Sequence, residues 1–272
     1  MEIWAGGERL DWRRDPVRVH AFHLVTPPDV TALEVTFQFL SPTSPSQGDI
    51  CMTPAILALR WGAMVLYPAG YFSRRIRVRA SVLLPSDWQW ACALETDVCD
   101  GSQTTFKTTS LDVVVDSPLL AGRHFRRIDL DGAGGVWLNL AADFPEQAQA
   151  TEAQIEPHRA LVREMDALMG ARPFDRFEIL VALSEELGGG GVEHHGSCEI
   201  VAPSRYFTAW DANAASRDVF AHEYGHAWNG KFRRGADSWT PSFDRPIRNS
   251  LMWVYEGMTQ YWGEVLAVRS GL

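Results

Sequence analysis

The hydrophobic period of the chain changes once, near residue 150, and that change limits the folds open to it. Up to about residue 142, short runs alternate apolar with polar residues and stop at Pro, Gly, Ser or Asp clusters. Residues 33–40, 75–84 and 136–140 are the clearest; in 75–84 one face is charged and the other apolar, the pattern of antiparallel sheet. From Thr151 the period is helical: Ile155, Leu161, Val162, Met165 and Leu168 share a face, and Gly170 closes the run. An apolar strand over 177–183, a glycine-rich loop over 188–191 and helices over about 216–229 and 249–269 follow. The expectation is an α+β chain, with an antiparallel β-rich domain over 1–145 and a second domain over 146–272.

Charge and composition remove several classes of function. With 25 Lys+Arg against 34 Asp+Glu the formal charge is -9, the wrong sign for a footprint on nucleic acid or anionic lipid, so neither is expected as a partner. No apolar run reaches the ~18–20 residues of a membrane helix, because Pro54, Arg60, Pro68 and Gly70 interrupt the most apolar stretch, 52–72. The first twenty residues are rich in charge and carry no export address. The four cysteines, Cys51, Cys92, Cys99 and Cys198, show no CxxC spacing and are expected as free thiols; a Cys92–Cys99 bridge is the alternative for an exported protein.

Residues 222–226 read His-Glu-Tyr-Gly-His. Residues four apart on a helix share a face, so the imidazoles of His222 and His226 can converge on one ion, with the Glu223 carboxylate beside them to take a proton from metal-bound water. Random placement of 8 His and 16 Glu predicts roughly 0.014 such spacings in the chain, which makes accident a poor explanation. Asn213 or Ser216 can cap this helix and Gly230 can end it. A catalytic zinc takes three protein ligands and leaves a position for water. Glu256 is the best third donor: it lies on the predicted helix over 249–269, which Asn249 or Ser250 can cap, and an antiparallel helix pair would carry it over the histidines. Glu264, two turns later, competes for the role.

HEYGHAWNGKFRR at 222–234, LMWVYEGMTQYWG at 251–263 and GGGGVEHHGS at 188–197 together resemble the M61 glycyl aminopeptidase family of zinc metallopeptidases. That family is related to the aminopeptidase N group, and both are gluzincins. WRRDPVRVHAFH, FQFLSP, LYPAGYFSRRI and SPLLAGRHFRRIDL extend the resemblance through the strand-rich half. It implies that residues 146–272 begin a thermolysin-like zinc domain, with one zinc per chain on His222, His226 and Glu256 and with Glu223 as general base. It further implies an edge strand in which the backbone of Gly190 and Gly191 binds peptide and Glu193 receives a free amino terminus. The substrate class would be peptides with a free N-terminus, the first residue small. His194 stands where the aminopeptidase N relatives have Asn. A second metal site at His194 and His195 is not expected, because neighbouring strand side chains point apart.

The family pattern continues well past its zinc glutamate, whereas sixteen residues follow Glu256 here. The expectation is therefore a fragment: the oxyanion donor is missing, Tyr255 and Tyr261 only pack, and activity is poor. Trp253, Met258 and Trp262 would lack cover and favour self-association through 250–272. Competing readings are an endopeptidase in which Glu193 is structural, a catalytically weak zinc- and peptide-binding module, and a structural zinc domain, which has no use for a base such as Glu223.

Overall fold

In the computed structural model, which describes residues 1–272, all seven residues of Phe177–Leu183 are buried. A strand reaches that state only where both faces of its sheet are covered, and the architecture around it supplies both covers.

The chain divides into two compact units, residues 1–40 and 41–272. The first holds β1 (Glu2–Ala5), β2 (Glu8–Arg9), β3 (Trp12–Arg14), β4 (Phe22–Leu24) and β5 (Glu34–Thr36). Here β1 lies between β2 and β5, and β3 pairs with β4, all antiparallel. Of the strand expected over 33–40 only β5 forms, and every residue of that stretch is exposed. Paired along one edge and open on its faces, it has no burial to lengthen it.

The second unit opens with β6 (Ile56–Leu59), β7 (Arg77–Val78), β8 (Ser81–Leu83), β9 (Gln89–Cys92), β10 (Thr96–Asp100), β11 (Gln103–Phe106) and β12 (Thr109–Ser110). A short helix, α1 (Leu111–Val115), follows and was not foreseen; the Ser110 hydroxyl caps it by accepting from the Val113 amide. The alternating stretch 75–84 is not one strand: β7 pairs with β12, whereas β8 pairs with β11. Next come β13 (Leu119–Gly122), β14 (His124–Asp129), β15 (Val136–Ala142), α2 (Glu152–Met169), β16 (Phe177–Leu183), β17 (Gly190–Glu193) and β18 (Ser197–Ala202). The chain closes with α3 (Asp218–Gly225) and α4 (Met252–Ser270).

The central sheet has the order β14-β15-β16-β18-β17. Its three middle strands are parallel and both edges are antiparallel. Strands β14 and β15 precede the expected boundary near 145 yet share this sheet with β16 to β18, because α2 is the helical crossover that parallel β15 and β16 require. Leu138, Leu140, Ile179 and Val181 face the helices, packing with Ile155, Leu161 and Met165 of α2 and with Phe220 and Tyr224 of α3. Ala141, Leu180 and Ala182 face the other way, onto Ile56, Ala91 and Leu120 of the three-stranded sheet β6-β13-β9.

The two helices of the motif differ from expectation at their ends. Instead of running over 216–229, α3 stops at Gly225, and neither Asn213 nor Ser216 caps it; a 3-10 segment, Trp210–Ser216, occupies their place. Nor does Asn249 or Ser250 cap α4; Leu251 stands at its start without a side-chain bond, and Asn249 has a positive φ of 53°. Trp253 and Met258 on α4 are exposed, but Trp262 packs against the main core. All four cysteines are free, with Cys92 buried in β9 and Cys99 exposed on β10 of a different sheet. No helix is long and apolar enough to cross a membrane. Truncation of the fully buried Leu140 to Ala should cost about 2–5 kcal/mol, read as a lower urea midpoint with an unchanged slope.

Candidate metal centre

Phe220 and Tyr224 bury one side of α3 in the core, so His222, Glu223 and His226 point elsewhere. The Nε2 atoms of His222 and His226 lie 3.0 Å apart, and Glu256 Oε2 lies 3.4 Å from the first and 3.3 Å from the second. Ligands ~2.0–2.1 Å from a tetrahedral zinc stand ~3.3 Å from one another, so these three donors already have the edge lengths of one face of a zinc tetrahedron. Two imidazoles and a carboxylate are also donors that zinc accepts. Glu264 does not join them: it accepts from Gln260 on the exposed side of α4.

Asn229 organises the triad. Its backbone carbonyl accepts the Nδ1–H of His226 at 2.9 Å, which leaves the Nε2 lone pair free for a metal. Its side-chain amide donates to the carbonyls of Val254 (3.0 Å) and Tyr255 (3.2 Å) and to the Thr259 hydroxyl (2.8 Å), fastening the first turns of α4 beside the histidines. Gly263 permits the approach higher up, since a Cβ there would stand 3.2 Å from the His222 backbone. Burial, then the charge of His226, lowers the proton affinity of His222, which favours the neutral imidazole that binds metal. The His222 Nδ1 atom is buried without a partner.

Glu223 is pressed against the edge strand β17. A Cβ on Gly191 would lie 2.3–2.4 Å from the Glu223 side chain, so any larger residue there would force that carboxylate to move. Burial first, then the negative charges of Glu193 and Glu256, pushes the Glu223 carboxyl up to about 8. Its Oε2 is buried and has no partner. A carboxylate with raised proton affinity, an unused oxygen and two histidines able to hold a metal for neighbours is equipped to take a proton and return it.

On the same strand, Glu193 accepts a hydrogen bond from the Tyr255 hydroxyl. Tyr255 therefore does more than pack. Burial raises the Glu193 carboxyl, but the Tyr255 bond and the charges of His226 and Lys231 outweigh it and hold the group below the usual carboxylate range. Gly190 and Gly191 belong to β17, whose sole partner strand is β18, so one edge of this backbone is unpaired within the sheet.

His194 and His195 do not diverge as a continuing strand would require, because β17 ends at Glu193. Both meet Asp116: His194 Nδ1 at 3.3 Å, and His195 Nδ1 at 2.5 Å together with its amide at 2.9 Å. Lys231 Nζ joins the same carboxylate at 2.8 Å. His194 Nε2 faces Glu199, which Arg60 pairs in turn. Although burial opposes it, His194 between two carboxylates has a raised proton affinity. Asp116 is held far below its ordinary value by His194, His195 and Lys231 against its burial. Asp116 left no local signal in the sequence, being 78 residues from His194; Asn229 could have been suspected as a polar residue one turn beyond His226.

Two family models match the chain: the M61 glycyl aminopeptidase model over residues 215–272 and the peptidase M61 N-terminal domain model over 1–123. Both are models of the M61 peptidase family, and together they cover about two thirds of the chain. Its fold is that of aminopeptidase N relatives. A crystal structure of an aminopeptidase N family protein from Idiomarina loihiensis superposes with a TM-score of 0.76 at 17% identity, covering 99% of this chain and 46% of that one. The M1 zinc metallopeptidase from Deinococcus radiodurans superposes with a TM-score of 0.52 at 17% identity, covering 100% of this chain and 61% of that one. The chain thus spans about half the length of the first of these relatives. No curated protein matches it.

Metal titration separates the roles within the triad. His222→Ala or His226→Ala should abolish stoichiometric zinc binding, whereas Asn229→Ala, which removes only the support, should weaken it by ~10–100-fold. The pH response of the metal-free chain tests Glu223. Its folded-state affinity of about 8 exceeds the usual 4.5, so the folded state keeps a proton that the unfolded chain releases between those values. The associated stability is whole below pH 4.5 and is lost as pH rises through 8. Glu223→Gln cannot ionise, so its urea midpoint should exceed that of the wild type by more at about pH 9 than at about pH 5.

Proposed function

We propose that this chain carries the zinc-dependent aminopeptidase centre of an M61 peptidase and acts on peptides with a free amino terminus. The observation that carries the reading is the convergence of the His222, His226 and Glu256 donor atoms within 3.4 Å, with Glu223 next to His222 on α3. One zinc per chain, held by those three residues, would polarise the scissile carbonyl and acidify a water.

The chain's own residues supply the remainder. Glu223 takes the water's proton on its unpartnered oxygen and delivers it to the leaving amine. The Glu193 carboxylate, ionised and partly buried, receives the substrate ammonium. The open edge of β17 at Gly190 and Gly191 offers backbone donors and acceptors to an extended peptide, which would add to the sheet as a strand. An acid at this place rejects substrates whose amine is blocked, because its charge is then left unpaired. A small first residue such as Gly or Ala follows the family's description as glycyl aminopeptidases.

Paired peptides with free and acetylated amino termini test the assignment. Glu223→Gln should keep its zinc and lose ~10²–10⁴ in kcat/KM on both members of the pair. Glu193→Gln should lose activity on the free-amine peptide and leave the acetylated one unchanged, erasing the preference. Full turnover by Glu223→Gln would overturn the reading.

A further inference from the structure

Glu193 has two competing destinations. Its carboxylate, the Glu223 carboxylate and a ring nitrogen of His226 offer ligand atoms that all lie within 4.8 Å of one another, a second set able to surround one ion. The gap to a tetrahedral edge of ~3.3 Å is at most roughly 1.5 Å, which rotation about one side-chain bond of a glutamate covers. A Glu193 that closed it would occupy the position kept for water and would draw Glu223 away from its task as base.

What stands against that movement is the Tyr255 hydroxyl, which donates to Glu193 Oε1. The phenol is itself held. On one side its ring lies 4.9 Å from the His226 ring. On the other it fills the space left by the missing side chain of Gly230, where a Cβ would come within 2.6 Å of the ring. Gly230 also has a φ of 133°, open to glycine and costly to other residues. Tyr255 directly precedes the ligand Glu256 on α4, so the element that completes the metal triad also sets the tether on Glu193.

We propose that Tyr255 is a positioning residue whose hydroxyl keeps Glu193 out of the metal's coordination sphere and thereby preserves it as a receptor for the substrate amine. The second half rests on the aminopeptidase reading above; the first concerns the metal alone. Tyr255→Phe removes one oxygen atom and keeps the ring against His226 and Gly230.

Cobalt(II) replaces zinc and reports coordination through the strength of its visible absorption. The wild type should give the intense band of four-coordinate cobalt. Tyr255→Phe should give the weaker band of a higher coordination number and bind cobalt about tenfold more tightly, because a charged ligand has been added. The double variant Tyr255→Phe, Glu193→Gln should recover the wild-type band and affinity. On the paired peptides, Tyr255→Phe should narrow the preference for the free amine mainly through KM.

An unchanged spectrum and affinity in Tyr255→Phe overturns the proposal, and so does a change that the added Glu193→Gln fails to reverse. If Glu193→Gln alone leaves the free-amine preference intact, the amine-receptor role fails on its own, while the cobalt spectra still decide whether Tyr255 restrains Glu193.

Discussion

The hydrogen bonds of Asn229 are the joint on which the site turns. Its backbone oxygen orients His226, and its side-chain amide grips the start of α4 through Val254, Tyr255 and Thr259. One residue therefore ties the histidine end of the triad to the glutamate end. The grip matters because neither helix is capped by a side chain at its start. Packing of Phe220 and Tyr224 beneath α3 and close approach at Gly263 fix the remaining freedom. The ligand atoms reach a common point through restraints outside the ligand set, as metal sites require.

That convergence has an electrostatic cost, and the cost is functional. Glu193, Glu223 and Glu256 crowd one small region. Glu223, the most buried of the three, responds by holding its proton to about 8. A divalent cation at the triad would relieve the crowding, so metal binding and folding stability are linked here. Glu193 belongs to the same crowd, and there the Tyr255 hydroxyl holds it.

The strand-rich part of the second unit contributes through charge as well as packing. Arg60, before the first 3-10 turn that follows β6, pairs with Glu199, and Asp116, at the end of α1, collects His194, His195 and Lys231. These contacts pin the turn between β17 and β18 and the segment just after His226. Edge strands slide and fray unless their ends are held; here the chain of alternating charges Lys231, Asp116, His194, Glu199, Arg60 does so with few unpaired members. The buried Asn139 and Glu178 on the same sheet are tied just as fully, by the exposed Arg127.

The sequence by itself determined the local periods and the spacing of the chemistry. The helix over 152–169 and the strand over 177–183 were legible because burial of a whole face, or of both faces, writes itself into consecutive residues. The pair His222 and His226 was legible because one helical turn brings the two together whatever surrounds them. Only the tertiary structure decided the rest. It put β14 and β15 in one sheet with β16 to β18 across the expected boundary, and it divided 75–84 between two sheets, because strand partners come from distant positions and leave no local period. It turned His194 and His195 onto one carboxylate and gave the Tyr255 hydroxyl to Glu193, since hydrogen bonds between residues 62 to 79 positions apart depend on where the backbone has already been carried by its packing.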